Sequence, residues 1–173
     1  MDNLILVDEQ GNPIGVMEKL EAHRLGKLHR CFSILVFNSK GELMLQKRAS
    51  EKYHSANLWT NTTGGHPKPE ETDQTIESAK RRLKLEMGFT TELIEVDAFI
   101  YKAALDKGLT ENEFDHVSIG QHDKEPILNP DEAGDWRWMS IPDIKKDVAE
   151  NPDKYTYWFK LISPNLEKYY ATL

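Results

Sequence analysis

Three histidines and two glutamates in this chain are of the right kind to hold a metal ion. His23 and His29 flank a glycine-containing turn, His66 stands in the loop Gly64-Gly65-His66-Pro67, and Glu111 and Glu113 are two positions apart. A strand over 110–117 points both carboxylates to one face. Two such charges repel unless a cation or a proton sits between them. Three imidazoles and two carboxylates together suit one divalent transition metal. Spacing alone leaves a second reading open: surface histidines beside a solvated acidic turn. A basic set accompanies them. Lys19, Arg48, Lys52 and Arg82 lie on separate elements, with Glu86 one helical turn beyond Arg82. Arginine grips phosphate oxygens with a two-pronged fork, while lysine acts as a point charge. Here too a plainer reading stands, a surface Arg82–Glu86 pair of about 0.2–0.5 kcal/mol. Trp59, Tyr101 and Trp158, each taken alone, read as core aromatics.

These residues need elements to position them. Leu4-Ile5-Leu6-Val7, the turn Gln10-Gly11-Asn12-Pro13 and Ile14-Gly15-Val16-Met17 read as strand, turn, strand. Cys31 to Phe37 is a nearly continuous apolar run. The turn residues Asn38 to Gly41 close it, and Glu42 to Lys47 returns, so a hairpin is expected. Thr72 to Met87 is the one long helix, with Thr75, Ile76, Ala79, Leu83 and Met87 at helical spacing and Gly88 as its stop. Ile94 to Tyr101, Glu113 to Ile119 and Trp136 to Met139 read as further strands. A helix opens at Ile141-Pro142, and an amphipathic closing helix runs from Tyr155 to Tyr170 with a break near Pro164. The expected class is α+β, an α/β sandwich in which a mixed sheet is flanked by helices.

Composition narrows the chemistry. The chain has 173 residues, 39% of them hydrophobic, enough for one domain with a real core. Lys+Arg 22 against Asp+Glu 29 gives −7, which argues against a nucleic-acid or anionic-membrane surface. No apolar run is long enough for a transmembrane helix, and the N-terminal stretch lacks the basic region of a signal peptide, so a cytoplasmic protein is expected. The single cysteine, Cys31, excludes an internal disulfide and a cysteine-built zinc site. It lies two residues beyond His29, so on one strand the two side chains share a face, although a small hydrophobe in a strand is the plainer role. Small-molecule chemistry by a monomer remains.

The helix tail Arg81-Arg82-Leu83-Lys84-Leu85-Glu86-Met87-Gly88-Phe89 resembles the second half of a Nudix box, R-E-U-x-E-E-x-G-U, with Arg82 and Leu85 where the hydrolases carry Glu. The first half is out of register: counted from Gly65 the box acid falls at Glu71, and counted from Arg81 it falls at Asp73. The sequence is more similar to the type 1 isopentenyl-diphosphate isomerases, a specialised Nudix family, over nearly its whole length. Glu18-Lys19-x-x-x-His23, Leu28-His29-Arg30-x-Phe32-Ser33, Lys47-Arg48-Ala49, Leu58-Trp59-Thr60-Asn61-Thr62, Gly65-His66-Pro67 and Glu111-Asn112-Glu113 occur in order.

The resemblance implies a single Nudix domain over residues 1–173 and a small diphosphate substrate. It implies a metal held by His23, His29, His66, Glu111 and Glu113. The nitrogen and oxygen ligands there suit Mn²⁺ or Zn²⁺, whereas Mg²⁺ belongs with Glu86 and the phosphates. It further implies that Lys19, Arg48, Lys52 and Arg82 neutralise the diphosphate, that Tyr101 and Trp158 line an isoprenoid pocket, and that Glu113, with Tyr101 as a catalytic residue on its side of the site, moves protons. One position departs. Where the family has a catalytic cysteine, the stretch Thr60-Asn61-Thr62-Thr63-Gly64 ends in glycine. An acid–base group contributes about 10²–10⁴-fold, so three readings follow. The protein is an isomerase with impaired proton transfer, a Nudix hydrolase of a prenyl or nucleoside diphosphate, or a non-catalytic diphosphate binder.

Overall fold

The computed structural model describes every residue except Met1, Thr72 and Asp73. The N-terminal strand, turn and strand form as expected, with β1 (Asn3–Val7) antiparallel to β2 (Pro13–Glu18). Helix α1 (Lys19–Leu25) starts where the Glu18 carboxylate accepts the Glu21 N–H at 2.8 Å and stops at Gly26, whose φ of 61° suits glycine. β3 (His29–Phe37), β4 (Glu42–Arg48), β5 (Trp59–Thr60) and β6 (Thr63–Gly65) follow, then helix α2 (Thr75–Met87). β7 (Ile94–Ala104), β8 (Thr110–Gln121) and β9 (Ala133–Ser140) complete the sheet. Helices α3 (Ile141–Glu150), α4 (Tyr157–Ile162) and α5 (Leu166–Tyr170) close the chain.

The expected hairpin of β3 with β4 forms only at its mouth, at Phe37 opposite Leu43. Beyond that pair β3 runs parallel to β8, from His29 beside Glu113 to Phe37 beside Gln121, and antiparallel to β6 on its other edge. All nine residues of β3 are buried. Such a run needs a strand on each edge and cover on each face, which a hairpin partner alone does not give. β4 pairs instead with β9.

The helix expected from Thr72 begins at Thr75, while Thr72 and Asp73 lie outside the described residues. A short 3₁₀ turn, Pro69–Glu71, precedes it. The Glu71 carboxylate accepts the Lys68 N–H and the Ser78 hydroxyl and pairs with Arg81, so this acid serves the helix start. The last three strands run longer than expected. Polar residues such as Asn112 occupy the less buried positions of β8, so its two-residue alternation continues past the apolar stretch.

Successive β3 side chains feed two cores. Phe32, Ile34 and Val36 pack with Ala79, Leu83 and Met87 of α2. Leu35 and Phe37 pack with Ile144, Phe159 and Leu166 of the C-terminal helices. This is the sandwich the sequence implied. Among the described residues no helix is long and apolar enough to cross a membrane.

Gly88 ends α2 with φ 77°, and a Cβ there would lie 2.6 Å from the Ile127 carbonyl oxygen. Left-handed backbone costs an L-residue roughly 1–2 kcal/mol, and the contact adds to that. Gly88→Ala is therefore expected to destabilise the fold by about 2 kcal/mol or more. A urea midpoint equal to that of the parent protein would contradict this.

Candidate metal centre and anion cavity

α1, β3, the loop after β6 and β8 bring four of the five proposed ligands, His23, His29, His66 and Glu113, into one cluster, while Glu111 lies beside it with His23 and His54. His23 and His29 are fully buried, so the surface-histidine reading fails. His23 Nδ1 lies 2.7 Å from the Lys19 carbonyl and His29 Nδ1 2.8 Å from that of Lys27. Carbonyls only accept, so both rings carry the proton on Nδ1 and present an Nε2 lone pair inward. His29 Nε2 is 3.3 Å, and His66 Nε2 2.9 Å, from Glu113 Oε1. His23 Nε2 is 3.4 Å from Glu111 Oε2. The buried atoms His23 Nε2, His29 Nε2 and Glu111 Oε2 have no hydrogen-bond partner among the described residues. The ligand atoms of His23, His29, His66 and Glu113 all lie within 4.8 Å of one another. The unpartnered Nε2 atoms of His23 and His29 within that group, with Glu111 Oε2 beside His23, fit a cation there.

Burial pushes the His66 pKa down to about 4 against the raising effect of Glu113, so the ring is in its neutral, ligating form. Burial works to raise Glu113, yet the neighbouring His29 and His66 outweigh it and hold the carboxyl well below its usual range. Burial likewise works to lower His23, but Glu111 outweighs it and the net shift is upward. The second oxygen of Glu113 accepts the Tyr101 O–H at 2.5 Å. Of the two places expected for Tyr101, the pocket wall and the Glu113 side of the site, it takes the second. It lies in the core under Glu113, because β7 pairs it directly opposite that residue.

Cys31 does share the His29 face. Burial first, then Asp115 and Glu113, pushes its thiol well up. Asp115, buried beside it, is raised to about 7 by burial and by Glu113, although the Ser33 hydroxyl bonds to it at 2.7 Å. Gly64 stands on β6 opposite Ser33, on the far edge of β3 from Glu113. Its φ is outside the left-handed region, and a Cβ there would sit 3.2 Å from the Phe32 carbonyl oxygen.

Lys19, Arg48, Lys52 and Arg82 line one cavity of about 720 Å³, together with Gly64 and Trp158. Arg48 donates to the His54 and Ser55 carbonyls at 3.0 and 3.2 Å, and its guanidinium lies 5.4 Å from the Trp158 ring centre. Trp158 is fixed by its N–H to Asn61 Oδ1 at 3.1 Å. Arg82 and Glu86 do pair, at 2.7 Å, but Glu86 is buried, so this is no surface ion pair. Gln46 and Thr63 both donate to Glu86 Oε2, which leaves Oε1 one lone pair beside Arg82.

Two residues at the site were not anticipated from sequence. Glu132 binds both Lys52 and Arg82. The loop carrying it accepts its place from α2, whose Glu86 and Met87 carbonyls take the Asn129 and Ile127 N–H groups. His54, 3% exposed, lies with its Nε2 3.0 Å from Glu111 Oε1. Its position between Lys52 and Trp59 was the available signal.

Residues 27–159 match the model of the NUDIX domain family. An isopentenyl-diphosphate delta-isomerase of Photorhabdus laumondii is 51% identical over 159 residues, covering 92% of this chain and 89% of the relative. One from Aromatoleum aromaticum is 48% identical over 157 residues, covering 91% and 82%. Among solved structures, a Deinococcus radiodurans protein superposes with a TM-score of 0.79 over 95% of this chain and 99% of its own, at 18% identity. A MutT protein of Methanosarcina mazei gives 0.64 over 82% and 94%, at 20% identity. The last two speak for the fold.

Proposed function

The chain belongs to the NUDIX family, among the isopentenyl-diphosphate delta-isomerases, and on that premise we propose that it interconverts isopentenyl and dimethylallyl diphosphate with a divalent metal. The observation that carries this reading is the pair of converging, unpartnered Nε2 atoms of His23 and His29 with Glu111 Oε2, next to a cavity lined by four cationic side chains. Mn²⁺ or Zn²⁺ suits the three histidines with Glu111 and Glu113, and Mg²⁺ suits Glu86 with the phosphates. A divalent ion at the histidine centre supplies positive charge that keeps both glutamates ionised. Residues 1–173 act as one Nudix domain, a cytoplasmic monomer.

In this scheme Lys19, Arg48, Lys52 and Arg82 neutralise the diphosphate, with Glu132 releasing the last two as the anion arrives. The Trp158 face stabilises positive charge at the branched carbon. Isomerisation adds a proton to the terminal carbon and removes another from the allylic carbon as the double bond shifts. Glu113 Oε2, hydrogen-bonded by Tyr101, exchanges protons on one face. Gly64 offers no group on the other, so the reaction is slow relative to a cysteine-bearing site. The hydrolase alternative is weakened by Arg82 and Leu85, which stand where the hydrolases bind Mg²⁺ through glutamate.

Incubation with isopentenyl diphosphate, Mg²⁺ and Mn²⁺, followed by NMR, is expected to yield dimethylallyl diphosphate. Release of phosphate or diphosphate without that product would overturn the proposal. Because Cys31 lies against Glu113 rather than across the cavity from it, Cys31→Ala is expected to leave the rate unchanged on the scale of the ~10²-fold effect of an acid–base group. A loss of that size would give the proton-transfer role to Cys31.

A further inference from the structure

His54 is the fourth imidazole beside these ligands, and its ring contacts differ from those of the other buried histidines. The Nδ1 atoms of His23 and His29 face carbonyls, which frees Nε2 as a lone pair. His54 Nδ1 instead faces the Ser55 hydroxyl at 3.1 Å. A carboxylate oxygen only accepts, so Nε2, facing Glu111 Oε1 at 3.0 Å, carries the ring proton, and Nδ1 accepts from the Ser55 hydroxyl, which can donate. The two oxygens of Glu111 are thereby distinguished. Oε1 lies against His54, and Oε2 is the unpartnered one beside His23.

The ring is locked in place. It packs edge-on against Tyr53 and Trp158, with ring centres 4.3 and 6.0 Å away. Arg48 holds the carbonyls of His54 and Ser55. Ser55 and Asn57 adopt φ of 50° and 61°, a backbone that L-residues rarely take. Left-handed backbone at two non-glycine positions has a cost, and it persists where the surroundings fix it.

We infer that His54 is a positioning residue for the metal centre: its Nε2–H fixes the rotation of Glu111 so that Oε2, and not Oε1, faces the ion. This rests on the metal reading above. Ligating carboxylates need such partners, and removing one typically lowers metal affinity about 10–100-fold. The competing arrangement makes His54 itself a ligand, since its ring, His23 and Glu111 also lie within 4.8 Å of one another.

Mn²⁺ binding to the full chain, measured by calorimetry with pulsed EPR to count coupled imidazole nitrogens, separates these cases. His54→Ala should weaken Mn²⁺ about 10–100-fold. His54→Gln, which keeps an N–H donor near the Nε2 position, should recover most of that loss. The imidazole count should stay at three throughout. Thermal melts of the metal-free proteins check that both variants fold. Equal affinity in all three proteins, equal weakness of both variants, or a count that falls from four to three in His54→Gln would each overturn the inference. A parent protein that takes up no Mn²⁺ would instead remove the metal reading on which it depends.

Discussion

Gly64→Cys is expected to raise the isomerisation rate by roughly 10²-fold or more, the scale of one added acid–base group. The geometry favours the substitution. Gly64 sits on the cavity wall across β3 from Glu113, so a thiol there stands opposite the carboxylate instead of beside it. The side chains of the proposed substrate clamp, Arg48, Lys52 and Arg82, already line the cavity, so orientation need not be rebuilt. The backbone at residue 64 is outside the left-handed region, and the new Cβ meets a carbonyl oxygen at 3.2 Å, a contact relieved by a few tenths of an ångström. A stability change within about 1 kcal/mol, or roughly 2–4 °C in Tm, should accompany the gain. NMR rates on parent and variant at saturating metal, with melts beside them, test this. No gain in a variant of unchanged Tm would mean that this loop no longer serves isomerisation.

The parts of this site legible in the sequence were those whose geometry is local. The two-residue step from Glu111 to Glu113 put both carboxylates on one face, because side chains alternate along a strand. Gly88 marked the end of α2, and the Arg82–Glu86 spacing foretold their contact. What stayed hidden was set by long-range pairing. Tyr101, taken alone, reads only as a core aromatic, and the register with β8 is what puts it directly opposite Glu113. Glu132 lies far along the chain from Lys52 and Arg82 and meets them only because its loop caps α2. His54 shares no helical or strand spacing with the other histidines, and an irregular loop with two left-handed residues brings it to Glu111. The family resemblance pointed to the proposed ligands and to the glycine at position 64. It was silent on what holds those ligands in place.

Glu113 carries the other large expected effect. Its two oxygens face different partners: Oε1 meets His29 and His66, while Oε2 accepts the Tyr101 hydroxyl at 2.5 Å. Glu113→Gln keeps the shape, removes the charge and takes away a group able to exchange a proton. Isomerisation should fall by about 10²–10⁴-fold. Because Glu113 is also a proposed ligand, part of any loss comes from weaker metal binding, and saturating Mn²⁺ restores only that part. Tyr101→Phe provides the contrast. It leaves every ligand atom intact and deletes a hydrogen bond to a charged acceptor, worth about 1.5–3 kcal/mol. At 1.36 kcal/mol per tenfold, that sets a loss of roughly 10–100-fold with Mn²⁺ affinity little changed. Burial holds the Tyr101 hydroxyl protonated, with its pKa well above the usual value, so this loss should not vary across neutral pH. A Glu113→Gln protein that regains the full rate once metal is saturating would reduce Glu113 to a ligand and place the proton transfer elsewhere.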